Sequence, residues 1–127
     1  MEELRIDATS VTPLVRFDGS KGVLEIKGRS IEEGSFGFYA TLMEYIDKYA
    51  KSPAANTEIN IQLEYINTSS SRGLAEVLKK LDLLFQQGHK MTMNWYYEED
   101  DEEIREAGED FIGIVTFPCK MHPIPSE

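Results

Sequence analysis

Apolar and polar positions alternate at Ile59, Ile61, Leu63 and Tyr65 against Asn60, Gln62 and Glu64, which predicts a half-buried strand over residues 57–66. From Leu74 the period changes. Val77, Leu78, Leu81, Leu84 and Phe85 recur at helical spacing, so a helix over 69–87 follows, with Gly88 placed to end it. Met91, Met93, Trp95 and Tyr97 then alternate with Thr92, Asn94 and Tyr96 as another strand. Strand, helix and strand in this order form a crossover, which makes the two strands parallel neighbours joined in the right-handed sense. The strand-to-helix junction then lies at the carboxyl end of the sheet, where α/β folds present functional groups.

Upstream, Leu14, Val15 and Phe17, the turn-rich Asp18-Gly19-Ser20-Lys21-Gly22 and then Val23, Leu24 and Ile26 predict a β-hairpin that supplies the sheet's first two strands. The ten residues before it are polar and are expected to be loosely held. Residues 28–35 read as loop, with Ser35 a candidate cap for a helix carrying Tyr39, Leu42, Met43, Ile46 and Tyr49 and stopped by Ser52-Pro53. Phe36, Phe38 and Tyr39 at its start either anchor an interface or seal the upper edge of the sheet. Downstream, six consecutive acids, Glu98 to Glu103, precede a short helix marked by Ile104, Ala107, Phe111 and Ile112; acids there are favoured by the helix dipole and read as a solvated helix start. Val115 to Phe117 is expected to add an edge strand, and Pro118, Pro123 and Pro125 to leave an irregular tail.

These elements describe one α/β domain over residues 1–127, a mixed β-sheet flanked by helices. No apolar run approaches the length of a membrane span, and the acidic N-terminus lacks the apolar core of a secretory signal, so a cytoplasmic location with no membrane partner is expected. A net charge of −10 without clustered Lys and Arg argues against nucleic acid. Cys119, the single cysteine, is assigned to packing. His89 has no ligand partner at helical spacing and Cys119 with His122 makes only two, so no metal site and no cofactor is expected. There is no Gly-x-Ser-x-Gly elbow and no phosphate-binding glycine loop, which disfavours an enzyme.

The chemistry concentrates in Asn67, Thr68, Ser69, Ser70 and Ser71 at the strand-to-helix junction. Asn, Ser and Thr cap helices, and one capping oxygen is enough for that. Five such residues in a row also place hydroxyls where the first backbone N–H groups and the macrodipole favour an anion, so a phosphorylation switch is the alternative. Gly73 is expected to loosen the first turn, and Arg72 is the basic residue beside the cluster.

The segment Tyr65-Ile66-Asn67-Thr68-Ser69-Ser70, the aromatic strand Met93-Asn94-Trp95-Tyr96-Tyr97, the acidic stretch after it and Phe117-Pro118 together resemble the SiaC family of bacterial regulatory phosphoproteins. That family is in turn similar to the STAS-type anti-sigma-factor antagonists. The resemblance implies a STAS-like domain that acts by partner switching: a cognate protein kinase phosphorylates Thr68, with Ser69 and Ser70 as other acceptors, and a PP2C-like phosphatase reverses this. It further implies that only the unmodified form binds a downstream effector, in some members a diguanylate cyclase, through Asn67, Thr68, Ser69, Ser70 and Arg72. Asn67 stands where the sigma-factor antagonists usually carry an acid, which weakens a sigma-factor pathway. A small-molecule or anion-binding domain using the same amides and hydroxyls is the other function class.

Overall fold

The computed structural model describes residues 2–34 and 36–126. Six strands lie in sequence order in one mixed sheet: β1 (Leu4–Ile6), β2 (Leu14–Asp18), β3 (Val23–Ser30), β4 (Asn56–Ile66), β5 (Lys90–Glu98) and β6 (Cys119–Ile124). The first two pairings are antiparallel and the last three parallel. Helices α1 (Phe36–Tyr49), α2 (Thr68–Gln86) and α3 (Glu102–Ile112) fill the three parallel crossovers. Because β3 to β6 are laid down in one direction, crossovers of one hand place every helix on the same face.

Register then decides which residues are core. Phe17, Leu24, Ile59 and Met93 share one row across the sheet, and Val15, Ile26, Ile61 and Trp95 the next; all are fully buried beneath the helices. The intervening row on the other face reads Arg16, Glu25, Asn60, Asn94 and Lys120, and this face carries no helix. There Asn94 donates to Asn60 at 2.9 Å, His122 Nε2 lies 2.8 Å from Asn94 Oδ1, and the His122 ring stacks on Tyr96 with centroids 4.7 Å apart.

Buried polar atoms in the core are paired across elements. Tyr39 and Ser30 hydroxyls meet at 2.7 Å, as do those of Tyr49 and Thr57, and Trp95 Nε1 donates to the Ile104 carbonyl at 3.0 Å. Burial pushes the Tyr39 phenol up to about 12, against the opposing pull of its Ser30 bond. Two glycines receive rings: a Cβ on Gly73 would stand 2.5 Å from Tyr39 Cδ2, and one on Gly108 would enter the Trp95 indole. Gly73 thus serves close packing of α1 on α2 rather than loosening the helix.

Several expectations change. The N-terminal segment is not loosely held throughout, because Leu4 and Ile6 continue the core rows of Phe17 and Val15, so the hairpin supplies the second and third strands. Three residues are too few for alternation to be read. Residues 28–30 remain in β3 past a register shift between Gly28 and Arg29. Ser35, the candidate cap, lies outside the described residues. Phe36, Phe38 and Tyr39 belong to α1, where Tyr39 is buried and Phe36 is 55% exposed. The edge strand is Cys119–Ile124, not 115–117, and the tail is therefore ordered. Pro123 is tolerated because the carbonyls of Pro118 and Ile124 accept from Met93 of β5 and from Glu99 just after it, which turns the odd-numbered amides of β6 outward at the sheet edge.

Candidate functional site

The end of β4 and the start of α2 form one tight junction. The Asn67 amide donates to the Ser30 carbonyl at 3.1 Å, anchoring the cap to the end of β3. Its Oδ1 accepts the Ser70 N–H at 2.8 Å, and its Nδ2 donates to the Glu32 carbonyl at 3.4 Å. Asn67 therefore satisfies the third helical amide, and the helix begins at Thr68, one residue earlier than periodicity indicated. Thr68 is thus within the first turn. No acid stands in that turn, so α2 supplies no counter-charge of its own to the positive end of its dipole.

The hydroxyls differ in access. Thr68 is exposed, Ser69 and Ser71 are half-buried, and Ser70 is fully buried. Burial takes Ser70 out of the contact surface that had been expected to include it. Thr68, Ser69 and Arg72 meet on one side of α2, in an open groove of about 820 Å³ between α2 and α1, with Phe36 and Met43 opposite and Ala75, Glu76 and Lys79 further along. Asn67 serves this site as a cap and does not line the groove.

Two features escaped sequence reasoning. Tyr65, fourth in the alternating row of β4, is 53% exposed rather than buried, with the Arg29 guanidinium 4.8 Å from its ring centroid. The register shift at Gly28/Arg29 brings Arg29 opposite Tyr65, and a shift of this kind leaves no mark in the apolar pattern. Arg29 is thus a second basic residue near the junction, besides Arg72. The other is Asp82 of α2, a buried carboxylate that accepts from the Thr116 N–H and hydroxyl, each at 2.9 Å, from the Phe117 N–H and from Gln86. Burial raises its pKa, and these bonds outweigh burial to hold it below the ordinary 3.8.

Elsewhere the chemistry is quiet. Burial, with the Asp82 charge second, pushes the Cys119 thiol up to about 11, so it remains protonated at neutral pH. Among the described residues no group of three or more His, Cys, Asp or Glu could hold a metal ion, and no helix is long and apolar enough to cross a membrane. The acidic run is a helix start: Asp101 Oδ1 accepts from Ile104 N–H at 3.1 Å, with Glu102 and Glu103 in the first turn.

Residues 6–124 match the family model described as SiaC family regulatory phosphoprotein. An uncharacterized protein of Pseudomonas aeruginosa (strain UCBPP-PA14), PA14_02130, is 27% identical over 118 residues, covering 93% of this chain and 94% of its own. The structure of apo-SiaC from Pseudomonas aeruginosa superposes with a TM-score of 0.87 at 26% identity, covering 96% of this chain and 99% of its own. That of the diguanylate cyclase SiaD in complex with its activator SiaC, from the same organism, matches with a TM-score of 0.88 at 26% identity, covering 95% and 99%.

Proposed function

Because this chain belongs to the SiaC family of regulatory phosphoproteins, we propose that it is a non-enzymatic adaptor switched by phosphorylation of Thr68. A cognate protein kinase adds the phosphate and a PP2C-like phosphatase removes it. Only the unmodified form binds and activates its effector, a diguanylate cyclase. The effector assignment is supported by the similar SiaC of Pseudomonas aeruginosa, whose complex is with the diguanylate cyclase SiaD.

The observation that carries the reading is the position of Thr68, exposed in the first turn of a capped helix that lacks an acid, on the rim of a groove beside exposed Phe36. A phosphate there adds about −1.5 to −2 charges and three acceptor oxygens. Held against the helix N-terminus, it stands where a docking partner would have to exclude water, and the fold need not change. Ser70 is too deeply buried to compete as an acceptor, and Ser69 is the less exposed neighbour.

The test is intact mass and peptide mapping of the protein from its own host, with and without a PP2C-type phosphatase, followed by pull-down of the cyclase. The expected result is one removable phosphate on Thr68, its loss in Thr68→Ala, and capture of the cyclase by the unmodified form alone. Absence of phosphate under all growth conditions would overturn the reading and favour a domain that binds a free anion.

A further inference from the structure

The chain has five arginines, and four of them are paired with carboxylates. Arg5 meets Asp7 at 3.2 Å, Arg16 meets Glu3 at 2.8 Å, Arg29 meets Glu64 at 3.9 Å, and Arg105 meets Glu102 at 2.6 Å and also Glu109. Arg72 is the exception. It is exposed on α2, and its side chain has no ion-pair partner among the described residues. In a chain of net charge −10 carboxylates are not scarce, so the cause is local.

The neighbours of Arg72 on the helix supply that cause. Glu76, one turn on, is at pairing distance along the sequence, but it lies 3.6 Å from Lys79 instead. An Arg72–Glu76 pair would also have the less favourable order, since an acid pairs best when it precedes the base by four residues. Four residues before Arg72 stands Thr68. Both line the groove between α1 and α2. The one position from which an acid would best pair with Arg72 is therefore held by the exposed hydroxyl.

We infer that Arg72 is the residue that receives the phosphate: phosphorylated Thr68 and Arg72 close into an ion pair on the groove rim. This deepens the proposed switch and rests on Thr68 being the modified residue. A guanidinium presents two N–H groups to two phosphate oxygens at once, and charge-assisted bonds of this kind are about twice as strong as neutral ones. The amides of the helix start remain for the third oxygen. With a phosphate of about −1.5 to −2 beside one guanidinium, the pair carries about −0.5 to −1 where Arg72 alone carried +1. The rim reverses sign, so a partner acid that unmodified Arg72 attracts is repelled.

The test is a ³¹P NMR pH titration of the full chain carrying phosphothreonine at position 68, installed during translation so that no kinase is needed. An adjacent guanidinium favours the dianion, so the second pKa of the phosphate, about 6 when unpaired, should lie about 0.5 unit lower with Arg72 present than in Arg72→Gln. Arg72→Lys, a point charge without the fork, should recover only part of that difference. Lys79→Gln removes the same charge from the same groove, but about 16 Å along the helix and beyond the Debye length, so it should move the titration by less than about 0.1 unit. Equal titration with and without Arg72 would overturn the inference and leave the phosphate to the helix amides alone. An effect of Lys79→Gln as large as that of Arg72→Gln would overturn it too, since the groove's general field would then suffice. Because the phosphate is installed, these outcomes are independent of the phosphorylation reading, which the mass mapping of host protein decides.

Discussion

The starts of α2 and α3 are built alike and charged differently. Each opens on an Asx cap whose side-chain oxygen accepts the N–H three residues on, Asn67 from Ser70 at 2.8 Å and Asp101 from Ile104 at 3.1 Å. Further along, each helix carries a glycine that receives an aromatic ring, Gly73 for Tyr39 and Gly108 for Trp95. After the cap, α3 continues with Glu102 and Glu103, while α2 continues with Thr68 and three serines. One helix has its counter-charge built in. The other has hydroxyls in the same place, where the proposed phosphorylation would add the charge that α3 carries in its sequence.

The largest break in this comparison is at the shared feature. Gly73→Ala and Gly108→Ala should each destabilise by about 3 kcal/mol, or about 10 °C in Tm, since a ring fills the space of the new methyl and the gain in helix propensity offsets only part of that. Thermal unfolding followed by circular dichroism checks both. A loss at one position and none at the other would show that the two helices are packed by different means.

Next in size is Asp82, which ties α2 to the segment following α3 through Thr116 and Phe117. Asp82→Asn should cost about 2 kcal/mol, or about 7 °C, at pH 7. The folded carboxyl lies below its ordinary 3.8, so its stabilisation is fully present above that value and is lost as pH falls through the folded pKa. The gap between wild type and Asp82→Asn should therefore be constant from pH 7 to about pH 5 and close below about pH 4. A gap independent of acid would remove the carboxylate from the account.

Removing the caps should cost about 1 kcal/mol each, for Asn67→Ala and Asp101→Ala, measured by urea unfolding with an unchanged slope. Asp101→Asn keeps the capping oxygen and loses only the charge, so it should cost less than Asp101→Ala. Asn67→Asp is the converse change and adds a charge to α2. Its effect should be neutral or stabilising, which sets the two starts on one scale.

How much of this was legible depended on the length of each pattern. β4, α2 and β5 each show a sustained period, and their order alone placed the junction at the carboxyl end of a parallel sheet. β1 and β6 were missed because three residues carry no period and because prolines at 118 and 123 read as breakers, although Pro118 lies just before the strand and an edge strand tolerates Pro123, whose missing N–H faces outward. Residues 67–72 were read as a site from chemistry that local sequence does show. Their unequal access was not, since Ser70 points into the core and Thr68 out of it only once the helix phase is known to begin at Thr68. The Arg29 and Tyr65 contact depends on a register shift between strands, and Gly73 looked like a weak point because the Tyr39 ring that needs it lies on another helix.

The smallest expected effect separates the two starts most directly. Thr68→Asp places a permanent charge where α3 has one, and should raise stability by about 0.5 kcal/mol through the dipole. Glu103→Gln removes such a charge from α3 and should lower stability by about the same amount. Both effects should fade in about 1 M salt, where exposed charges more than about 3 Å apart are screened. Under the proposed switch, Thr68→Asp should also lose the proposed effector while remaining as folded as wild type, because the added charge sits on the groove rim and leaves the fold unchanged. If Thr68→Asp melted several degrees below wild type, the loss of binding would be explained by a disturbed helix start, and the contrast between a built-in and an added charge would fail.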